Sequence, residues 1–368
     1  MSLLQEKTEI LHRNFTYLKE IDILKGIGII LVVFAHAGCP EYQFFYLFHM
    51  AIFFIATGFC FKPERLENFK SLLLLIKKRI ISLYIPFVLG NILLWFYDQF
   101  LIINCKMENS FSFFNIVKQI IRSVLLLGTP YSAGALWFLR DLFLISCAYA
   151  ILYYIIGMLL KIKHVLFIIL VFGIFLLYTG WFFLQKSLIP IFIFHECATF
   201  FFLPLGTLLA HHRDYINTKI NKYFLLLFVS TLMVLLVLYM KVFYFRLRID
   251  LAVGLMKSPT LYIIASLCGW FMVYSISIFI SRVKIGDFIA YVGKNSLSVF
   301  ILHFAAFRLF SLLYIRLNSL SLAKIEKFPV INNSLWLFYS ICGIVIPLLL
   351  AVTYRYCSNK IQTKLEKQ

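Results

Sequence analysis

The side chains best suited to chemistry near the start of the chain share one apolar stretch, residues 21–38. Lys25 and His36 are 11 residues apart, so in a helix they fall within roughly 20° of one face and about 16 Å apart along the axis. Asp22 lies within about 40° of the same face. One stripe therefore carries an acid and a base at one end and an imidazole, a general base near neutral pH, at the other. Asp22 and Lys25 could instead form only an ion pair at the helix end.

Further ionisable side chains interrupt the later apolar stretches, and they are His49, Arg140, Asp141, His195, Glu196 and His303. Each is costly in an apolar setting and is therefore a functional candidate. Asp141 or Glu196 could orient the imidazole of the first stretch. Arg140, His49 or His303 could donate hydrogen bonds to a developing oxyanion. Arg140 and Asp141 could equally be a structural ion pair.

The elements that position these candidates must lie in a membrane, because 62% of the 368 residues are apolar and only 14% are charged. A soluble globular protein carries about 45–50% apolar and about 25% charged residues. The composition, with 41 Phe, therefore excludes a soluble enzyme, a disordered chain, a coiled coil and a collagen. A single segment in lipid must satisfy its own backbone, so the prediction is an all-α, polytopic bundle of about ten transmembrane helices.

Ten apolar stretches approach the roughly 20 helical residues that cross a bilayer. They cover 21–38, 44–61, 80–95, 135–158, 164–183, 190–210, 223–240, 260–280, 285–307 and 335–354. Lys and Arg cluster in the connections on one side, above all in 62–79, so both termini are predicted to be cytoplasmic. His36, His49 and His303 then lie near the outer ends of their spans. Residues 115–128 are predicted to form an interfacial amphipathic helix.

One integral-membrane domain is expected over 1–368, multi-pass in the inner (cell) membrane, with a cytoplasmic amphipathic segment at 1–20 and a cytoplasmic tail at 355–368. The net charge of +19 is spread over the loops, which favours contact with anionic lipids and excludes nucleic acid as a partner. The eight Cys lie singly without a CxxC pair, so no metal site is predicted.

Five motifs resemble the consecutive signatures of the integral-membrane acyltransferase 3 family. They are IDILKGIGIILVVFAHAG (21–38), FHMAIFFIATGF (48–59), KKRIISLYIPF (77–87), ALWFLRDLF (135–143) and VGKNSLSVFILHF (292–304). The resemblance covers nearly the whole chain and implies a minimal member without a C-terminal hydrolase-like domain. The family's motif of a basic residue, ten spacers and a His maps onto Lys25 and His36. Many members carry Arg in place of Lys25, which can bind phosphate or carboxylate bidentately, and Ser in place of Thr57.

The resemblance implies a membrane O-acyltransferase that moves an acetyl or other short acyl group from acyl-CoA to a hydroxyl of a surface or lipid-linked glycan. His36 is the expected general base, and the other catalytic candidates are Lys25, Asp22, His49, Arg140 and Asp141. Acetyl-CoA or another acyl-CoA is the expected donor substrate, and no permanently bound cofactor is expected. The expected partners are the acyl-CoA, the saccharide acceptor and membrane lipids.

The polyanionic nucleotide end of an acyl-CoA is expected to dock at Lys25 and at the cluster Lys77, Lys78 and Arg79. That cluster could instead serve only as a topology anchor. The alternative function is a transporter or flippase for a glycan or lipid-linked sugar. We see no twofold repeat of motifs between the two halves of the chain, which favours the enzyme.

Overall fold

The computed structural model describes residues 18–104, 112–128, 131–245, 249–325 and 329–365. Nearly all of the predicted segment 1–20 and the end of the predicted tail lie outside these ranges. The described residues form fifteen helices and one hairpin of two short strands. In chain order these are α1 (Lys19–His36), α2 (Tyr42–Tyr46), α3 (His49–Phe59), α4 (Phe69–Arg79), α5 (Ile85–Asn104), α6 (Phe113–Val124), α7 (Trp137–Tyr154), α8 (Val165–Gln185), α9 (Ile191–Thr199), α10 (Phe202–His211), α11 (Arg213–Tyr244), β1 (Ile249–Asp250), β2 (Leu255–Met256), α12 (Pro259–Ile280), α13 (Lys284–Lys294), α14 (Ser296–Leu317) and α15 (Trp336–Leu365).

Within these ranges, nine helical segments are long and apolar enough to cross a membrane. The helix α1 is not among these nine, because its first turns carry the charges of Lys19, Glu20, Asp22 and Lys25. Side chains on the outer helices face away from the protein, as lipid-facing residues do: Phe167 on α8 is 68% exposed. The protein is therefore a polytopic helical membrane bundle, as the sequence predicts.

Helix α1 is positioned by close packing against α13. Gly293 of α13 lies so close to the Asp22 carbonyl that a Cβ atom would overlap it, and Gly26 of α1 meets the Ile289 carbonyl in the same way. Small residues allow helix backbones to approach this closely in membranes. We call this side of the bundle the Lys25 end and the opposite side the His36 end.

The predicted connection over 62–79 is helical in its second half. Helix α4 starts at Phe69, because Asn68 and Ser71 form a capping box: the Asn68 side chain accepts from the Ser71 amide (2.9 Å) and the Ser71 hydroxyl accepts from the Asn68 amide (3.1 Å). It runs on through a π-helical segment, Ile80–Tyr84, into α5. Pro86 follows this segment and lacks an amide hydrogen, which accounts for the local change of helix type.

The prediction of one span over 285–307 is wrong. The chain breaks at Asn295 into the short α13 and the membrane-spanning α14. The Asn295 side chain donates to the Tyr291 carbonyl (2.7 Å), and such local bonding by Asn competes with helix propagation. The break places His303 in the middle third of α14 instead of near the outer end of its span.

Candidate active site

The centre of the candidate site is a pair of histidines from helices far apart in sequence. His36 is the last residue of α1, and His303 belongs to α14. His36 Nδ1 lies 2.9 Å from His303 Nε2. His303 is completely buried, whereas His36 is half-buried and reaches a cavity. His303 is thus the group that orients His36.

The backbone fixes the direction of the hydrogen bond between the two rings. His303 Nδ1 lies 3.0 Å from the Val299 carbonyl oxygen and 2.9 Å from that of Phe300. A carbonyl only accepts, so His303 Nδ1 carries the hydrogen and its Nε2 is the acceptor when the ring is neutral. His36 Nδ1 must then donate to His303, which leaves a lone pair on His36 Nε2. This is the protonation state that a general base requires.

The cavity at this pair, which we call the His36 cavity, has a volume of about 40 Å³. It is lined by His36, Tyr46, His49, Met50, Ala135, Trp137, Asp250, Leu251, Ala252 and Phe300. His49 Nδ1 donates to the Phe45 carbonyl (2.6 Å), so neutral His49 presents a lone pair at Nε2. His303, in contrast, uses both ring nitrogens in hydrogen bonds within the protein. Neither neutral histidine is the oxyanion donor that the sequence suggested.

The other predicted polar residues form a separate cluster beside this cavity. Arg140 Nη2 donates to Glu196 Oε1 (2.6 Å) and to the Phe192 carbonyl (2.9 Å). Asp141 Oδ2 accepts from the Thr199 hydroxyl (2.8 Å). The predicted role of Asp141 or Glu196 in orienting His36 is therefore wrong in this geometry, because each carboxylate bonds elsewhere. The alternative of a direct Arg140–Asp141 ion pair is also wrong, since Glu196 takes the guanidinium.

A second cavity of about 150 Å³, the Lys25 cavity, lies nearer the other end of the bundle. Its lining is Lys25, Ile29, Phe53, Thr57, Leu83, Phe138, Leu139, Leu142, Ser296, Leu297 and Phe300. Phe300 lines both cavities. Lys25 forms a 2.7 Å ion pair with Asp22, so the structure realises the ion-pair interpretation of Asp22.

The same four helices, α1, α3, α7 and α14, line both cavities. Helix α1 contributes Lys25 to the Lys25 cavity and His36 to the His36 cavity. Helix α3 contributes Thr57 to the Lys25 cavity and His49 to the His36 cavity. Helices α7 and α14 also contribute to both. The two cavities are therefore stacked along the bundle, with the Phe300 ring in the wall between them.

A basic pocket of about 430 Å³, the cationic pocket, lies where α3 ends and α4 begins. Its lining is Cys60, Phe61, Lys62, Arg65, Leu66, Ser71, Leu74, Leu75, Lys78 and Arg79. Lys77 does not line it.

Sequence reasoning missed three contributors to these sites. Lys62 and Arg65 lie in a segment that reads as a topology anchor, and only the packing of α4 brings them to Lys78 and Arg79. Asp250 lies in the connection between α11 and α12, whose sequence pattern carries no chemical signal. Among the residues that the structure describes, no group of three or more His, Cys, Asp or Glu side chains is arranged to hold a metal ion.

The fold and the site define a multi-pass membrane protein with an oriented His36–His303 pair at one of two stacked cavities. The family model of an acyltransferase domain, the acyltransferase 3 family, matches residues 18–353, and the chain belongs to that family. It is therefore a membrane acyltransferase, and this membership favours the enzyme over the transporter alternative. No curated protein and no solved structure is significantly similar to the chain.

Proposed function

We propose that the protein is an O-acyltransferase of the cell's inner membrane, which moves an acetyl or other short acyl group from acyl-CoA to a hydroxyl of a surface or lipid-linked saccharide. The observation that carries the proposal is the stacking of the two cavities along the same helices, with the free Nε2 of His36 at one of them. A base at one of two stacked cavities suits an enzyme whose two substrates approach from opposite ends.

In the proposed reaction the acceptor hydroxyl gives its proton to His36 Nε2 while its oxygen attacks the thioester carbonyl carbon. The tetrahedral intermediate collapses, the carbon–sulfur bond breaks, and the departing CoA sulfur takes the proton from His36. The products are an O-acyl ester and CoA. His303 Nε2 accepts a hydrogen bond from His36 Nδ1 in every step, so it stabilises the imidazolium that forms in between.

The donor is assigned to the Lys25 end. An acyl-CoA combines a polyanionic nucleotide with a long, slender pantetheine arm. The cationic pocket suits the phosphates, because Lys62, Arg65, Lys78 and Arg79 surround a single cavity. The mostly apolar Lys25 cavity suits the arm, whose thioester would lie beside Phe300 and His36.

The cluster Lys77, Lys78 and Arg79 supplies its own matched control. The three residues occupy the last turn of α4, but only Lys78 and Arg79 line the cationic pocket. We expect Lys78→Ala and Arg79→Ala to raise the KM for acetyl-CoA about tenfold or more each, because hydrogen bonds between charged groups contribute about 1.5–3 kcal/mol. Lys77→Ala removes the same charge from the same turn and should leave the KM unchanged. Equal effects of all three changes would identify the cluster as a topology anchor only.

Cys60 allows donor binding to be measured without turnover. It is exposed and lines the cationic pocket. In a variant with the other cysteines replaced, CoA should slow the reaction of Cys60 with a maleimide, and Arg79→Ala should raise the CoA concentration needed for this protection about tenfold or more. A labelling rate that saturating CoA leaves unchanged would contradict the donor site.

A further inference from the structure

The hairpin Ile249–Met256 is the only strand pair in the described part of the chain, and it reaches into the His36 cavity. It joins α11 to α12 at the His36 end. Ile249 pairs with Met256 and Asp250 with Leu255, and Gly254 makes the turn with a positive φ of 69°. Three consecutive residues, from Asp250 to Ala252, line the cavity.

Two buried or partly buried rings from other helices hold the hairpin in place. His195 Nε2 donates to the Leu251 carbonyl (2.6 Å), and Trp181 Nε1 donates to the Met256 carbonyl (2.7 Å). The His195 ring packs on Trp137, at 4.5 Å between centroids, and Trp137 itself lines the cavity. The hairpin therefore has a defined position relative to His36.

The size of the cavity makes the hairpin important for the acceptor. The cavity is small, about 40 Å³, so only the reacting end of a large acceptor such as a polysaccharide fits inside it. When a hydroxyl reaches His36, the rest of the acceptor must lie against the rim of the cavity. That rim includes Trp137, Tyr46 and the hairpin residue Asp250.

These rim residues have the chemistry that recognises a saccharide. The rings of Trp137 and Tyr46 can pack on the apolar C–H face of a sugar ring, and the carboxylate of Asp250 can accept a hydrogen bond from a hydroxyl group. A site built to bond a substrate hydroxyl rejects a substrate without it more strongly than an apolar pocket can. A carboxylate at the rim can therefore select one arrangement of sugar hydroxyls.

We infer that the hairpin is the acceptor-selecting element, that Asp250 binds a saccharide hydroxyl next to the one that is acylated, and that His195 is the positioning residue of the hairpin. The inference rests on the proposed function, because it assigns the acceptor of that reaction. It places acceptor selection at the His36 end, on residues separate from the donor site.

The test is a set of steady-state measurements on the purified full chain in lipid. The donor is acetyl-CoA, and the acceptor is the surface polysaccharide of the source cell, stripped of its O-acyl groups by mild base. Asp250→Ala should raise the KM for the polysaccharide about 5- to 150-fold, the range for losing a partner of a bound polar group. Asp250→Asn, which keeps the size and one oxygen, should have a smaller effect. The KM for acetyl-CoA should not change in either variant.

Two further variants separate selection from general damage. Val253→Ala changes an exposed hairpin residue that does not line the cavity, so it should behave as the wild type. His195→Phe keeps a ring beside Trp137 but removes the donor to Leu251, so it should raise the KM for the polysaccharide and leave the KM for acetyl-CoA unchanged. The pattern of acylated positions, mapped by NMR, should broaden in Asp250→Ala.

The outcomes distinguish this inference from the proposed function. If the wild type consumes no acetyl-CoA, the proposed function itself fails. If the wild type acylates the polysaccharide and Asp250→Ala does so with the same KM and the same positions, only the role of the hairpin is refuted. If the wild type consumes acetyl-CoA but the polysaccharide is not acylated, the saccharide assignment is overturned. A parallel rise of both KM values in Asp250→Asn would reveal a structural role for the hairpin.

Discussion

The hydrogen bond between His303 Nε2 and His36 Nδ1 leads to a quantitative prediction. His303→Leu removes the acceptor and leaves the His36 Nδ1 hydrogen without its partner. The loss of a partner from a buried polar group costs about 1–3 kcal/mol. At 1.36 kcal/mol for each factor of ten, this corresponds to a fall in kcat of about 5- to 150-fold. The fall can approach about 10⁴-fold if the imidazole adopts the other tautomer, as in serine proteases that lose the group orienting their histidine.

The matched variant is His303→Gln, whose amide oxygen can accept at nearly the same place. We expect it to retain a larger share of the wild-type kcat than the Leu variant. The assay is transfer of radiolabelled acetyl from acetyl-CoA, with KM values for both substrates, on protein whose insertion and yield match those of the wild type. The KM values should change little, because the bond strengthens only as His36 takes up a proton. A wild-type kcat in His303→Leu, or equal losses in the Leu and Gln variants, would refute the reasoning.

The remaining predictions concern the base, the donor end and the sidedness of the reaction. His36→Ala should insert normally and lose transfer by about 10²–10⁴-fold, measured in the same assay; near-normal acylation would remove His36 from the mechanism. Lys25→Ala should raise the KM for acetyl-CoA more than that for the acceptor, whereas Lys25→Arg keeps the charge and should be tolerated; an equal effect of both changes would refute a role for the charge. In sealed vesicles of known orientation, transfer should occur with acetyl-CoA only on the Lys25 side and acceptor only on the other; transfer that needs both substrates on the Lys25 side would contradict this arrangement.

The sequence was sufficient for the fold class and for the positions of most spans, because composition and run length are local properties. It was insufficient where a few polar residues determine the residue at which a helix begins or ends. The capping box at Asn68 starts the helix at Phe69, before the apolar stretch 80–95 that marked the third span. The Asn295 side chain divides what reads as one apolar stretch. Both signals are visible in the sequence, but each competes with a hydropathy pattern that favours the other interpretation.

The partner of His36 could not be identified from the sequence for a different reason. Six ionisable side chains in the later apolar stretches were candidates, and the position of a residue along its own span does not give the distance between two helices. The carboxylates of Asp141 and Glu196 were reasonable orienting groups by chemistry, yet Thr199 and Arg140 engage them. Only the packing of α14 beside the end of α1 brings His303 within 2.9 Å of His36.

The break at Asn295 has a direct consequence for the site, because it decides which part of α14 meets α1. Ser296, at the start of α14, lines the Lys25 cavity, Phe300 lines both cavities, and His303 contacts His36. These residues are four and three positions apart, so they lie on one face of the helix. The face climbs about 10 Å from the Lys25 cavity to His36. A helix that ran unbroken from residue 285 would carry His303 to the end of its span, whereas starting α14 at Ser296 places the imidazole inside the bundle. The short helix α13 packs on the Lys25 end of α1. Its length thereby determines the position along the bundle at which the two substrates would meet.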